Sequence, residues 1–540
     1  MSRSEDTGKI ARSAGKVSVA VMCSRVLGLV REQVMAAYFG AGTAYDAFVV
    51  AFRIPNLLRD LFGEGALSSA FVAVFTEHDA NKGEEATWRL ASNVITAISL
   101  LLSAITLAGI VWSEPLVRLI APDFAQVPDK VALTAHLTAI MFPFLLFVSL
   151  AAVVMGMLNA KGRFFMPAMA SSFFNLGSIL GGIGCAVLLD RLGRPPIVGM
   201  AIGTLIGGLL QLGCQVPALL RCGFRLTPRL DLADPGLRRI FRLMLPAIIG
   251  LGATQINIFV NTNFAASCAE GSVSWLNYAF RLVQFPIGVF GVALSIATMP
   301  VVSRHAANRD LDRLKSTYVS SLVMACGLSI PATVGLAFLA GPIIRIIFEH
   351  GAFTAGDTAR TAEALVYYVV GLFAYAAVKI TVPVFYALDD TRYPVIGSFL
   401  AVAGNVLIIL ASVGQLQHKA IALSTSCAMI LNFLFLSAVL YRKVGGYPLR
   451  PLGAGLVKVM AASAAMGCWL FGASRLLGEW MRGGMGQDLT GLSAIIASAA
   501  VVYWVVLYRA GLPELDFLVE RLKSRFAPGQ LPGGDQKGQP

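Results

Sequence analysis

Charge is scarce in this chain. Lysine, arginine, aspartate and glutamate make up 14% of its 540 residues, where soluble domains carry about 25%. With 56% hydrophobic residues and a mean hydropathy of +0.72, that deficit excludes a soluble globular protein and leaves a polytopic membrane protein. The eight cysteines contain no CxxC pair and the five histidines no HExxH, so no disulfide framework and no metal site is expected. No GxxxxGK[ST] loop is present, which excludes the usual mode of ATP binding. Neither a nucleophile elbow nor a pair of catalytic carboxylates stands at a membrane surface, and the chain is not expected to be an enzyme or to carry a cofactor. The first apolar run is of full spanning length and lacks a small-residue cleavage site, so it is expected to be retained.

What is present is a succession of apolar runs. A spanning helix needs roughly 20 such residues, and fourteen candidates fit: 17–39, 46–76, 91–113, 131–158, 165–189, 197–220, 240–266, 273–303, 316–340, 362–388, 394–414, 420–441, 454–477 and 489–508. The expected fold class is all-α. Its organisation is an N-terminal arm (1–16), spans 1–6 (17–220), a linker (221–239), spans 7–12 (240–441), spans 13–14 (454–508) and a tail (509–540). Lysine and arginine concentrate in the arm, the linker and the tail, which places both termini in the cytoplasm. The net charge of +13 then reflects topology and anionic lipid, not nucleic acid. "PELDFLVERLKSRF" (513–526) reads as an interfacial amphipathic helix, and the residues after it as disordered.

A repeat is legible. "AFR" occurs at 51–53 and again at 279–281, and "FGEGALSSAFVAVFTEH" (62–78) aligns with "FGVALSIATMPVVSRH" (290–305) across one deletion. "GRFFMP" (162–167) echoes "DTRYP" (390–394). Spans 2 and 8 correspond, as do spans 5 and 11. The offset of six helices predicts two six-helix lobes of one orientation, related by an axis along the membrane normal. Spans 13 and 14 are an addition.

Seven basic residues fall inside spans: Arg25, Arg31, Arg53, Arg59, Arg281, Lys379 and Lys458. A charge at the bilayer centre costs roughly 2.5–3.5 kcal/mol even on the lenient insertion scale, so such groups face water, a partner or a ligand. Five of them arise from spans 1, 2 and 8. Asp46, Arg53 and Asp60 recur at steps of seven, which on a continuous helix keeps them on one face. Pro55, Gly63 and Gly65 allow a break there. Guanidinium matches phosphate oxygens bidentately. Asp46, Asp60, Glu64 and Glu32 are the acids near enough in sequence to neutralise the arginines, and Arg281 has none in its own span. A surplus of arginine points to an anion in an aqueous vestibule. The blander alternative is snorkelling of Arg31 and Arg59 and pairing of Arg53 with Asp46.

Span 7 is different in chemistry. Asn257 and Asn261 lie one helical turn apart and, with Asp389 or Asp390, could offer oxygens to a cation. Hydrogen bonding between packed spans is the simpler reading. Gly199, Gly203 and Gly207 form a small-residue packing face.

The stretches "SRVLGLVREQVMAAYFGAGTAYDAFVVAFRIPNLLRDLFGEGALSSAFV" (24–72) and "GSVSWLNYAFRLVQFPIGVFGVALSIATMP" (271–300) resemble the signatures of the MurJ/MviN lipid II flippases, and the similarity runs through all fourteen spans. The resemblance implies the fold of the multidrug/oligosaccharidyl-lipid/polysaccharide exporter superfamily in a bacterial inner membrane. Two lobes would form a V around a central cavity, with helices 13 and 14 making a groove for the lipid tail. It implies transfer of lipid II, the undecaprenyl-diphosphate-linked peptidoglycan precursor, to the periplasmic leaflet by alternating access. Carried over by motif, Arg25, Arg31, Arg59 and Arg281 are cavity arginines, Arg53 matches a basic position, and Asp46 and Glu64 match acidic ones.

Two departures stand out: Phe280 and Gln284 replace acids that some relatives carry in span 8, and span 7 offers asparagines where a sodium site would need carboxylates. Coupling to membrane potential or to a monovalent cation is therefore left open, and cell-wall synthesis proteins are candidate partners. The competing readings are an O-antigen-type polysaccharide flippase, a drug exporter of the same architecture, and a non-transporting scaffold of the wall-synthesis complex.

Overall fold

The computed structural model describes residues 3–61, 66–477 and 484–512. Glu64, Gly63, Gly65 and the expected 513–526 helix lie outside them. Among the described residues there is no strand. The helices are α1 (Arg3–Phe39), α2 (Thr43–Arg59), α3 (Ala66–Asn81), α4 (Glu84–Val111), α5 (Ser113–Ile120), α6 (Lys130–Met141), α7 (Phe144–Ala160), α8 (Phe165–Arg191), α9 (Ile197–Gly213) and α10 (Val216–Leu220). There follow α11 (Pro235–Ala266), α12 (Ser272–Pro286), α13 (Ala293–Ala307), α14 (Leu311–Phe348), α15 (Ala355–Val369), α16 (Leu372–Ala387), α17 (Arg392–Leu416), α18 (His418–Lys443), α19 (Leu449–Leu477) and α20 (Met485–Arg509).

Each of the fourteen expected spans coincides with one helix or a run of consecutive helices. Length and hydropathy alone qualify ten spans among the described residues, and twelve when two bent pairs are each taken as one. The two outside that set are α1 and the α2–α3 pair, the elements that carry Arg25, Arg31, Arg53 and Arg59; α2 and α3 have 17 and 16 residues, each short of a full span.

The repeat reappears as a shared irregularity. In α2 the proline at 55 is accommodated within the helix, which ends in a π turn at Asp60–Leu61. In its counterpart, Pro286 closes α12 and a π-helix, Ile287–Val292, leads into α13. Proline removes a backbone donor and crowds the carbonyl four residues back, and in both copies a π segment follows it in the chain. Both π segments begin six or seven residues beyond the arginine of an "AFR" motif.

Packing divides the chain into two compact units. The first comprises 1–280, 347–364 and 402–424; the second comprises 281–346, 365–401 and 425–540. The boundary falls inside α12, between Phe280 and Arg281. The first unit's core gathers Phe71, Phe75, Leu90, Leu145, Met157 and Ile240. Here α8 and α9 lie in close contact because Gly199, Gly203 and Gly207 face it: a Cβ on Gly203 would stand 2.4 Å from Gly182 Cα, and one on Gly199 would stand 2.2 Å from the Ala186 nitrogen. The small-residue face is thus a helix–helix contact.

In the second unit α14, α16, α18, α19 and α20 share a core around Tyr318, Leu322, Phe385, Leu436, Val459 and Ile495. Tyr503 of α20 donates its hydroxyl to the Gly327 carbonyl at 2.5 Å. The added helices are therefore integral to this unit. All eight cysteines are free.

Candidate functional site

The arginine-bearing helices of the first unit are held by polar contacts. Asn175 of α8 donates to the Ser24 carbonyl at 3.1 Å, which seats α1 along α8. About two turns further along α1, the Arg31 guanidinium lies 5.4 Å from the Phe174 ring centroid and donates to Glu32 Oε1 at 2.9 Å. The other Glu32 oxygen accepts the Tyr45 hydroxyl at 2.7 Å, and that hydroxyl accepts from Asn277 Nδ2 at 3.0 Å. Glu32 is buried, so this relay both neutralises and positions Arg31. Arg25 is exposed on α1 and forms no ion pair among the described residues.

At the end of α2, Arg59 places Nε and Nη2 on Asp60 Oδ1 at 3.2 and 2.9 Å. Gln255 of α11 reaches the other Asp60 oxygen at 3.5 Å. Arg53 is half-buried on the same helix.

Asp46 has a different role from the one the seven-residue spacing suggests. It is 1% exposed and accepts from four donors. Lys130 Nζ stands 3.1 Å from Oδ2, and the Gly271 N–H is 2.9 Å from the same oxygen. The Ser274 N–H and hydroxyl reach Oδ1 at 3.0 and 2.6 Å. Asp46 thus caps the N-terminus of α12 from outside, where free N–H groups and the helix dipole favour a negative charge. Lys130 also lies 4.2 Å from the Phe124 ring centroid. Asp46 is thus committed to Lys130 and to the start of α12.

Beside this cap, Thr43 donates its N–H to Glu270 at 2.9 Å and its hydroxyl to the same oxygen. Those hydrogen bonds hold the Glu270 carboxyl below its ordinary range. Tyr278 donates to the Gly40 carbonyl at 3.1 Å.

The remaining candidates fall elsewhere. Asn261 accepts from Asn405 Nδ2 at 2.7 Å, a bond between packed helices, while Asn257 Oδ1 is buried without a hydrogen bond among the described residues. Arg281 is half-buried in the second unit, which also holds Asp389 and Asp390 in the turn between α16 and α17. Asp389 has φ +54°. Asp390 pairs with Lys443, whose hydrogen bond lowers its carboxyl pKa. Lys379 is exposed on α16, and Lys458 donates to the Gly511 carbonyl at 2.7 Å. No group of three or more His, Cys, Asp or Glu among the described residues could hold a metal ion.

Lys130, Tyr45 and Asn277 were not singled out by sequence. Lys130 carries the one available signal, a basic residue at the mouth of an apolar run on the side where the charge bias predicts few.

The architecture is that of a membrane exporter. An inward-facing multidrug resistance MATE family transporter of the MOP superfamily superposes with a TM-score of 0.57 over 79% of this chain and 94% of its own, at 15% identity, a likeness of fold. The family model for the lipid II flippase MurJ matches residues 35–487, and the chain belongs to that family. A solved lipid II flippase MurJ in an inward closed conformation covers 93% of this chain and 99% of its own, with a TM-score of 0.74 and 27% identity. A probable lipid II flippase MurJ of Buchnera aphidicola subsp. Acyrthosiphon pisum (strain APS) is 35% identical over 427 residues, 79% of this chain and 83% of that protein.

Proposed function

We infer that this chain is a lipid II flippase of a bacterial inner membrane, carrying the undecaprenyl-diphosphate-linked peptidoglycan precursor from the cytoplasmic to the periplasmic leaflet. The observation that supports the reading is the guanidinium of Arg25, exposed on α1 without an ion pair among the described residues, on the same helix as Arg31, which Glu32 and the Phe174 ring hold in place. A diphosphate supplies negative charge, and guanidinium groups donate to its oxygens in parallel pairs. Arg25 offers the open guanidinium, Arg31 is held in place by Glu32, and Arg59 is held by Asp60. Arg53 of the first unit and Arg281 of the second are the further candidates by motif. Both termini are cytoplasmic on this reading, and the C55 tail stays in lipid along α19 and α20.

Transfer proceeds by alternating access: the headgroup enters from the cytoplasmic side, and the arginines hold it while the lobes rock. Release follows when Glu32 and Asp60 recapture Arg31 and Arg59. Coupling to the membrane potential suits a site with net charge.

The experiment is lipid II exposure at the outer face of cells depleted of their own flippase. Those cells carry this chain, Arg59→Ala or Arg281→Ala at equal membrane abundance. Exposure restored by the native chain and lost in the variants supports the reading. Exposure restored by all three makes the arginines structural, and exposure restored by none favours a different lipid-linked cargo.

A further inference from the structure

The connection between α10 and α11 contains no helix between Phe224 and Asp231, yet it is firmly attached along α4. Phe224 is 4% exposed and packs edge-on against Trp88, 5.4 Å between ring centroids. Alternate backbone groups then bond to α4 side chains. The Thr227 N–H reaches Ser92 Oγ at 3.4 Å, the Arg229 N–H reaches Thr96 Oγ1 at 3.3 Å, and the Asp231 N–H reaches Asn93 Oδ1 at 2.8 Å. Asn93 Nδ2 returns a bond to the Asp231 carbonyl at 2.9 Å. A segment so well fixed nevertheless leaves Leu226, Leu230 and Leu232 more than half exposed, at 52, 51 and 62%.

The face of α4 on which it lies tells what meets those leucines. Asn93 and Thr96 continue, at steps of three and four residues, into Leu100, Ala104, Leu107 and Val111. That spacing keeps one face of a helix. Leu100, Leu107 and Val111 are 55, 64 and 74% exposed, an apolar stripe turned to lipid. At 1.5 Å per residue, Asn93 lies about 28 Å along the axis from exposed Trp112. A hydrocarbon core is about 30 Å thick, and tryptophan marks its boundary. The linker therefore crosses the foot of a lipid-facing stripe at the opposite boundary. Its exposed Arg221 and Arg225 form no ion pair among the described residues, Arg229 pairs at 3.2 Å with Asp231, and Asp231 is the one acid between 221 and 232.

We propose that residues 221–232 form an interfacial docking segment for the anionic phospholipid of the leaflet on that side. The leucines enter the acyl boundary, and Arg221, Arg225 and Arg229 bind lipid phosphates. Leucine and arginine side by side at headgroup depth is the composition that such a surface selects.

The test uses the full-length chain, its cysteines replaced and a nitroxide attached at Leu230→Cys or, as an aqueous control, at Glu85→Cys. It is reconstituted in phosphatidylcholine vesicles with and without phosphatidylglycerol. Oxygen and a water-soluble nickel complex then report the depth of the label. The expected result is a label at 230 that oxygen reaches and nickel does not, placed deeper with phosphatidylglycerol. A label at 230 as open to nickel as the control overturns the proposal, and so does one closed to both reagents, which means protein covers it.

The unmodified chain supplies a second readout, the phosphatidylglycerol concentration that half-saturates the rise in its thermal midpoint. Arg221→Gln with Arg225→Gln raises that concentration about 25-fold, roughly fivefold for each arginine near a charged surface. An unchanged concentration overturns the phosphate assignment.

Discussion

Lys130 and Asp46, 84 positions apart, form an ion pair at 3.1 Å in which both side chains are almost fully enclosed. The two partners are not equally replaceable. Asp46 keeps three donors if the lysine is removed, whereas Lys130 loses its hydrogen-bonded carboxylate and keeps the Phe124 ring and the attraction of Glu270 if the aspartate is removed. Stranding a buried charge costs about 3–5 kcal/mol, and losing one hydrogen bond to a charged group costs about 1.5–3 kcal/mol. Asp46→Ala should therefore lower the thermal midpoint in detergent more than Lys130→Ala. The reverse order would mean that the α12 cap is not what secures Asp46.

The relay from Asn277 through Tyr45 to Glu32 makes a second expectation. Tyr45→Phe keeps the ring stack on Tyr278, 4.8 Å between centroids, but leaves one oxygen of buried Glu32 without its hydroxyl donor. The loss should be about 1–3 kcal/mol, read as a lower unfolding midpoint. A midpoint equal to that of the native chain would show that the hydroxyl is dispensable.

Glycines in α8 and α9 separate packing from propensity. Gly203→Ala inserts a methyl 2.4 Å from Gly182 Cα, a backbone atom that cannot rotate away. Overpacking of that kind costs about 1–3 kcal/mol. Gly184→Ala on the neighbouring helix meets nothing within 4 Å and should be neutral or stabilising, since alanine gains up to about 1 kcal/mol of helix propensity. Comparing the two variants' retention of native size on heating decides it.

Acid should loosen the contact between Thr43 and Glu270. Its cause is hydrogen bonding from Thr43, which lowers the carboxyl from its usual 4.5. A depressed folded pKa gives stability that is present above 4.5 and lost as pH falls through the lower folded value. Thr43→Ala should flatten the pH dependence of the thermal midpoint in that acid window and leave its slope near neutrality unchanged. An identical acid limb in both proteins would remove Glu270 from the account.

Helix positions and the small-residue face were legible, because each rests on a local period, whereas the compact units, 1–280 with 347–364 and 402–424 against the rest, do not follow the expected division at 221–239. Gly199, Gly203 and Gly207 announce a close helix contact by spacing alone, and the "AFR" motifs mark the positions before two π segments. The fate of Asp46 was not legible. Its spacing from Arg53 and Asp60 suggested a shared charged face, whereas its partners come from α6 and the start of α12, far along the chain. The same holds for Glu32, whose burial depends on Tyr45 and Asn277. Sequence periodicity reports which face a residue occupies; it is silent on which distant donor arrives there.

The π segments at Asp60–Leu61 and Ile287–Val292 have a mechanical consequence. A helix holding one surplus residue resembles a crystal row holding a dislocation. The defect glides when a single carbonyl exchanges one N–H partner for its neighbour, and the residue it passes turns by about 100° around the axis without any turn melting. A side chain beside such a segment can thereby be re-aimed while the helix that bears it stays intact.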